Sequence, residues 1–461
     1  MTEVMLAGLP APFDWAALAA RLQGDVTTPA DTGWDEARRA WNLAADQWPA
    51  AVVHAESPAD VLATVDFSRT NGLRVAPQGT GHFALARGPI DDGVLLRTDR
   101  MRGIEIDAEG RRARVEAGVL WQELTDAAAV HGLVGLAGSS HDVGVVGYTL
   151  GGGVSWLGRR YGFAANSVRA IEVVTTDCRH VRADAQRERD LFWALRGGGG
   201  GFGVVTALEL ELYPVTELVA GVLFWPIERA RDVLGAWSAW VETVPDEVTS
   251  VGRLLRFPPL PQVPEHLRGQ SFVLVEAAIL ADEDEAAELL QPLRELGPVM
   301  DTVATIPARA LSSLHMDPPG PVPGAGDGVL LDDLPPEGIE ALLRVAGPGT
   351  QSPLLSVEVR HLGGALAREA PGQGAAGAVD AAFGVYAVGM APDAAAKALV
   401  LEHVAGVHAA LAPWASERTY FNFTERRADG RSVYGELAHR RLREIRDRYD
   451  RDRMIAVAHG V

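Results

Sequence analysis

Residues 196–210 read RGGGGGFGVVTALEL. Gly198, Gly200 and Gly203 satisfy the GxGxxG spacing of a dinucleotide-binding turn. In a doubly wound nucleotide-binding fold that turn follows a strand and opens a helix, whose N-terminus meets the pyrophosphate. Here the continuation VVTALELELY (204–213) is β-branched and ends in apolar–polar alternation, the pattern of a strand. The Rossmann reading fails on that context, and no GxxxxGKS/T motif supports P-loop chemistry. What remains is a glycine run that either turns tightly between strands or lets main chain approach a ligand closely.

Two further glycine clusters precede it, RVAPQGTGHFALA (74–86) and GSSHDVGVVGYTLGGGVSWLGRRYG (138–162). Three such loops among strands of one region favour a ligand cradle over three unrelated turns. Around them, SPADVLATVDFSRTNGL (57–73) predicts a helix, with Ser57 as cap, Pro58 in the first turn and Gly72 as stop. GVLLRTD (93–99), RARVEAG (112–118) and AIEVVTTD (170–177) predict strands, and a helix is predicted from Trp121 to about Val130. Downstream, AGVLFWPI, SFVLVEAAIL, SPLLSVEVRHL and AAFGVYAVGM predict strands, with helices near 229–242 and 283–295. The Pro/Gly-rich stretch PPGPVPGAGDG (318–328) reads as a dividing loop, and GELAHRRLREIRDRYDR as a terminal helix with a solvated face.

The 461 residues exceed what one hydrophobic core usually organises. A net charge of −19 argues against nucleic acid and anionic membrane surfaces as partners. The single cysteine, Cys178, allows no intrachain disulfide, and residues 1–22 lack the basic and apolar regions of a signal peptide. No run of some eighteen apolar residues is present. A cytoplasmic protein without a membrane span is the expectation.

Four ordered motifs, PQGTGH (77–82), DVGVVGYTLGGG (142–153), YGFAANSV (161–168) and DLFWALRGGGGGFGVVT (190–206), resemble those of the vanillyl-alcohol-oxidase superfamily of flavoproteins, within it the berberine-bridge-enzyme-like group. YFNF (420–423) and the charged tail resemble the group's C-terminal segment. The resemblance covers about 45–215 and 416–461 and fades between them. It implies an α+β fold: a two-part FAD-binding domain of mixed sheets and helices (1–215, rejoined by 416–461), and a substrate domain (216–415) with an antiparallel sheet covered by helices.

For the cofactor, the resemblance implies that Pro77, Gln78, Gly79, Thr80, Gly81, His82 and Phe83 cradle FAD. Read from the residues alone, His82 could equally be a loop histidine or a base; the family's histidine here is commonly bonded to the flavin ring. The family's second tether, a cysteine, falls on Ser140, followed by His141, so one covalent attachment, through His82, is expected. Val143, Gly144, Gly147, Tyr148, Leu150, Gly151 and Gly153 continue the implied cradle. Asn166, Val168, Gly203, Val204 and Val205 offer main-chain contacts toward the adenine side. Gly201 departs from the family's usual Asn, Ser or Pro. Cys178 reads as a strand-end residue.

For catalysis, period-two alternation puts Glu358 and Arg360 on one face of 354–364 and Val357, Val359 and His361 on the other. That pair is either a substrate face or a salt bridge on a solvated face. Tyr386 either faces substrate or fills a core or edge. The resemblance places Tyr420 and Asn422 near the flavin, and Asn422 is counted with the cofactor-binding residues too. His315 and His459 read as ordinary surface or satisfied histidines. The implied function is an FAD-dependent oxidase that removes a hydride from an alcohol or amine carbon of a small molecule, with O2 as acceptor and H2O2 as product. An oxidative cyclase, or a dehydrogenase with another acceptor, is the alternative. The Ala-, Arg- and Gly-rich composition is that of a GC-rich bacterium, where such enzymes serve secondary metabolism. Nothing in the sequence predicts an oligomeric state or a metal.

Overall fold

The computed structural model describes residues 13–261 and 263–461, so the signal-peptide reading of the N-terminus falls partly outside the described residues. The helix predicted at 57–73 forms at Pro58–Asn71: Ser57 Oγ accepts from the Asp60 amide, Pro58 fills the first turn, and Gly72 stops it at φ 67°. It crosses between Ala51–His54 and Arg74–Gln78, which flank Gly93–Arg97 in parallel; Asp25–Thr27 adds an antiparallel edge. The loop that begins at Gly79 therefore leaves the C-terminal end of a parallel strand.

A second sheet, antiparallel throughout, runs Ile104–Asp107, Arg112–Glu116, Val204–Glu211, Val168–Val174, His180–Asp184. Val204–Glu211 is its central strand, so the glycine run at 197–203 enters a sheet, as its sequence context indicates. The third and largest sheet is also antiparallel: Met300–Asp301, Glu217–Pro226, Ser271–Ile279, Val248–Arg256, Leu354–His361, Phe383–Met390, Gly324–Leu331, with Ala304–Pro307 paired to Glu217–Pro226. Helices Ala230–Val241, Glu283–Arg294, Pro336–Ala346 and Ala394–Leu411 cover one face, where Trp237, Leu290, Leu342 and Val404 join the largest core. The α+β architecture matches the expectation.

One local reading is corrected, and two features were not predicted. The stretch 318–328 is not loop throughout, because Gly324–Leu331 is an edge strand. Its glycines permit close approach: a Cβ at Gly326 would lie 2.8 Å from Tyr386 Oη, and one at Gly328 2.7 Å from the Phe423 carbonyl. Val248–Arg256 is an additional central strand. Ala394–Leu411, extended by a short turn to Trp414, is long and apolar enough by composition to cross a bilayer. It also carries Lys397, Glu402, His403 and His408, and lays Val400, Val404, Val407 and Leu411 on the sheet.

The C-terminal segment returns to the N-terminal sheets. Leu442 and Ile445 of helix Glu436–Tyr449 share a core with Phe192 and Leu195. Beyond it the Val75 amide donates to the Met454 carbonyl and the Ala456 amide to the Val75 carbonyl, both at 2.8 Å.

Candidate active site

A cavity of about 1170 Å³ opens between the three glycine loops, the uncovered face of the large sheet and the C-terminal segment. Its floor is main chain. A Cβ at Gly147 would meet no atom within 4 Å, and those at Gly144 and Gly200 would meet only single side-chain atoms at 3.9 and 3.8 Å. Side chains there would project into space that a flat, extended ligand needs.

His82 stands at one end. Thr80 Oγ1 is 2.7 Å from its Nδ1, and the Trp41 ring stacks on it at 3.9 Å and 18°. Its Nε2 is buried without a hydrogen bond, 3.4 Å from Asp142 Oδ1. Asp142 also accepts from Trp41 Nε1 at 2.5 Å and Ser140 Oγ at 3.0 Å. Burial would raise the Asp142 pKa, but His82, Trp41 and Ser140 outweigh it and hold the carboxyl at about 2. Neither Trp41 nor Asp142 was singled out from sequence; they reach His82 from separate loops.

Of the positions expected to hold cofactor, Pro77 to Phe83, Ser140, Val143, Gly144, Gly147, Tyr148, Leu150, Gly203, Val205 and Asn422 line the cavity. The others do not line it. Val168 and Val204 are core residues at 1% and 0% exposure. Asn166 turns its Oδ1 to the Gly374 amide. Gly153 lies beneath Tyr148 and donates to Tyr420 Oη, while Gly151 backs onto Asn422. The His141 carbonyl accepts from the Gln122 amide, away from the cavity. In a His82→Ala background, where FAD binds reversibly, Gly147→Val should leave the far-ultraviolet circular dichroism unchanged while weakening FAD binding at least about tenfold, as read by equilibrium dialysis.

Glu358, Arg360, Tyr386, Tyr420 and Asn422 all face the same space. The solvated-face alternative for Glu358 is wrong, because the carboxylate is 3% exposed. Arg360 donates to both its oxygens, at 2.7 and 3.2 Å, and His315 Nε2 lies 2.5 Å from Oε2. The other ring nitrogen of His315 lies 2.5 Å from Glu276 Oε2, and Glu276 also pairs with Arg253 at 3.1 Å. Of the two readings of His315, the surface one is overturned and the satisfied one holds: it is a buried imidazolium with both ring nitrogens on carboxylates. Burial and Arg253 push its pKa down, but Glu276 and Glu358 dominate and raise it to about 9. Burial opposes ionisation of Glu358, yet Arg360 and His315 hold it far below the carboxylate range, which makes it a poor base.

This clamp has a pH signature. The folded pKa of His315 lies above the ordinary 6.5, so its stabilisation is complete below about pH 6.5 and is lost as pH rises through about 9. Urea unfolding between pH 6 and 10 should show a loss of roughly 3 kcal/mol over that window, absent in His315→Gln.

The C-terminal segment closes the site. Tyr420 Oη accepts from the Gly153 amide at 3.0 Å, and Asn422 Nδ2 donates to the Tyr148 carbonyl at 3.0 Å. Here too the sequence reading missed cavity residues. His459 packs edge-on to Phe421 at 4.7 Å, against its surface reading, and Glu425 accepts from Tyr386 Oη at 2.6 Å. Glu425 lies three residues past Asn422, close enough in sequence for the YFNF motif to have flagged it.

Residues 49–184 match the family described as FAD binding domain. Among curated proteins, (R)-6-hydroxynicotine oxidase from Paenarthrobacter nicotinovorans is 34% identical over 205 residues, 44% of this chain and 45% of that protein. The matched stretch thus spans about half the length of that relative. Among solved structures, 6-hydroxy-D-nicotine oxidase from Arthrobacter nicotinovorans superposes with TM-score 0.82 at 25% identity, covering 94% of this chain and 96% of that one. BBE-like 1 from Physcomitrella patens superposes with TM-score 0.85 at 18% identity, covering 96% and 98%, a likeness of fold. A main-chain cradle ending at a histidine, the match to an FAD binding domain over residues 49–184 and this architecture agree: the chain carries an FAD-binding domain and is similar to FAD-linked oxidoreductases.

Proposed function

We propose that this chain is an FAD-dependent oxidase of a small-molecule alcohol or amine, with FAD held by a single covalent bond through His82 and O2 as the electron acceptor. The observation that carries the reading is the His82 corner, where a buried, unpartnered ring nitrogen meets a side-chain-free glycine floor at the end of one cavity. These residues fit FAD. When bound, it supplies the two-electron acceptor for oxidising the donor carbon, and O2 carries the electrons on to H2O2.

The protein's own groups divide the remaining work. Thr80 and Trp41 fix the His82 ring, and the Asp142 carboxylate stands beside it as an acceptor. Glycines 144, 147 and 200 keep the floor open for the cofactor. On the opposite wall, the Glu358–His315–Glu276 clamp fixes the Arg360 guanidinium over the Phe423 ring, 5.1 Å from its centroid, and so sets the charge and shape presented to substrate. Tyr420, Phe421 and Asn422 shield the site from water on the third side.

The oxidase part can be tested without knowing the substrate. Protein-bound FAD, photoreduced under nitrogen and mixed with air-saturated buffer, should reoxidise faster than free reduced FAD and release one H2O2 per FAD. Slow reoxidation that only an added quinone or dye accelerates would replace the oxidase by a dehydrogenase.

A further inference from the structure

We infer that Glu425 is the seat of a cation and that the donor this chain oxidises is an amine rather than an alcohol, bound as its ammonium and giving one N–H proton to the Glu425 carboxylate before its carbon loses hydride. The inference rests on the oxidoreductase reading above and narrows it.

The charge pattern of the cavity wall carries it. Glu276 has Arg253 and His315, Glu358 has His315 and Arg360, and Asp142 has His82 beside it. Asp327, on the edge strand, has Arg426. Glu425 has only neutral donors, the Tyr386 hydroxyl at 2.6 Å and the Gly326 amide at 3.2 Å.

The charged surroundings leave that carboxylate short of a partner. Asp327 packs against it, accepting from the Glu425 amide at 2.9 Å. From the covering helix, His408 lies 4.0 Å from Asp327 and is held below the usual imidazole range by burial, while Lys397 favours the ionised Glu425 from a distance, without an ion pair. Burial raises the Glu425 pKa to about 7, with Asp327 acting in the same sense and the bonds from Tyr386 and Gly326 against it. Asp317 also lines the cavity without a cation, but it sits on the mouth loop between exposed Met316 and Pro318, where water can solvate it.

A half-buried carboxylate that faces the cavity with neutral donors only is completed by a ligand that brings positive charge and N–H groups together. An ammonium does both, whereas an alcohol supplies one neutral donor. The Tyr386 ring adds an aromatic face that attracts a cation, while the Phe423 ring, 5.7 Å from it, already carries Arg360.

The test uses the FAD-loaded protein at pH 8 and two probes, 2-phenylpropan-2-amine and 2-phenylpropan-2-ol. Neither has hydrogen on the carbon bearing the heteroatom, so neither is oxidised, and calorimetry reads binding alone. The wild type should bind the amine at least about tenfold tighter than the alcohol, and Glu425→Gln should remove that preference with alcohol affinity held within about twofold. Glu425→Asp should keep a preference, and the wild-type preference should shrink at pH 6, where Glu425 takes up a proton. Equal binding of both probes by the wild type, a preference that survives in Glu425→Gln, or one independent of pH would overturn the inference. FAD content is measured on the same samples. FAD present without amine preference overturns the inference alone; protein that holds no FAD overturns the functional reading with it.

Discussion

Glu358→Ala is expected to destabilise the folded protein by about 3–5 kcal/mol, because it leaves His315 and Arg360 charged and buried with one carboxylate fewer. Both oxygens of Glu358 are engaged, by Arg360 at 2.7 and 3.2 Å and by His315 at 2.5 Å, and its side chain is 4% exposed. A salt bridge on a solvated face would give about 0–1 kcal/mol instead. Urea denaturation at pH 7 separates the two, and removing His315 in the same background identifies the source: His315→Leu should recover part of the loss by deleting the stranded imidazolium.

His82→Ala should have the largest effect on the cofactor. The wild-type protein is expected to carry its flavin into the pellet on acid precipitation; the variant should release all of it to the supernatant. The glycine floor remains, so the variant should still bind FAD reversibly, and dialysis of the folded variant should show a finite dissociation constant where the wild type shows none. Asp142→Asn is the companion. It keeps an acceptor for Trp41 but removes the negative charge beside His82, so the fraction of flavin retained in the pellet should fall between the two.

The fold and the cofactor end of the site were largely legible because their signals are local. Ser57, Pro58 and Gly72 bound a helix by chemistry confined to their own turns, and the alternation after Gly203 announces a strand whatever surrounds it. The glycine floor is likewise a property of successive residues. The substrate end is built otherwise. His315 sits in a loop whose sequence, SSLHMDPPG, gives no sign that its ring inserts between Glu276 and Glu358, 39 and 43 positions away. Trp41 and Asp142 meet across 101 positions, and Glu425 reaches Tyr386 across 39. The glycines of Gly324–Leu331 look like loop formers in sequence. In the structure they are thin positions in a strand, over which Tyr386 and Phe423 close. Position in a motif likewise does not say which way a strand turns its side chains: those of Val168 and Val204 went into the core, which leaves only their main chain for adenine-side contacts.

The central claim is that one histidine at the end of a main-chain cradle holds FAD. The visible spectrum and intact mass of the purified protein, taken before and after denaturation in acid, test it most directly. A flavin spectrum that stays with the denatured chain, with the mass of one FAD added on the peptide containing His82, is the predicted result. A chain with no added mass and no flavin absorbance after reconstitution with FAD would contradict it.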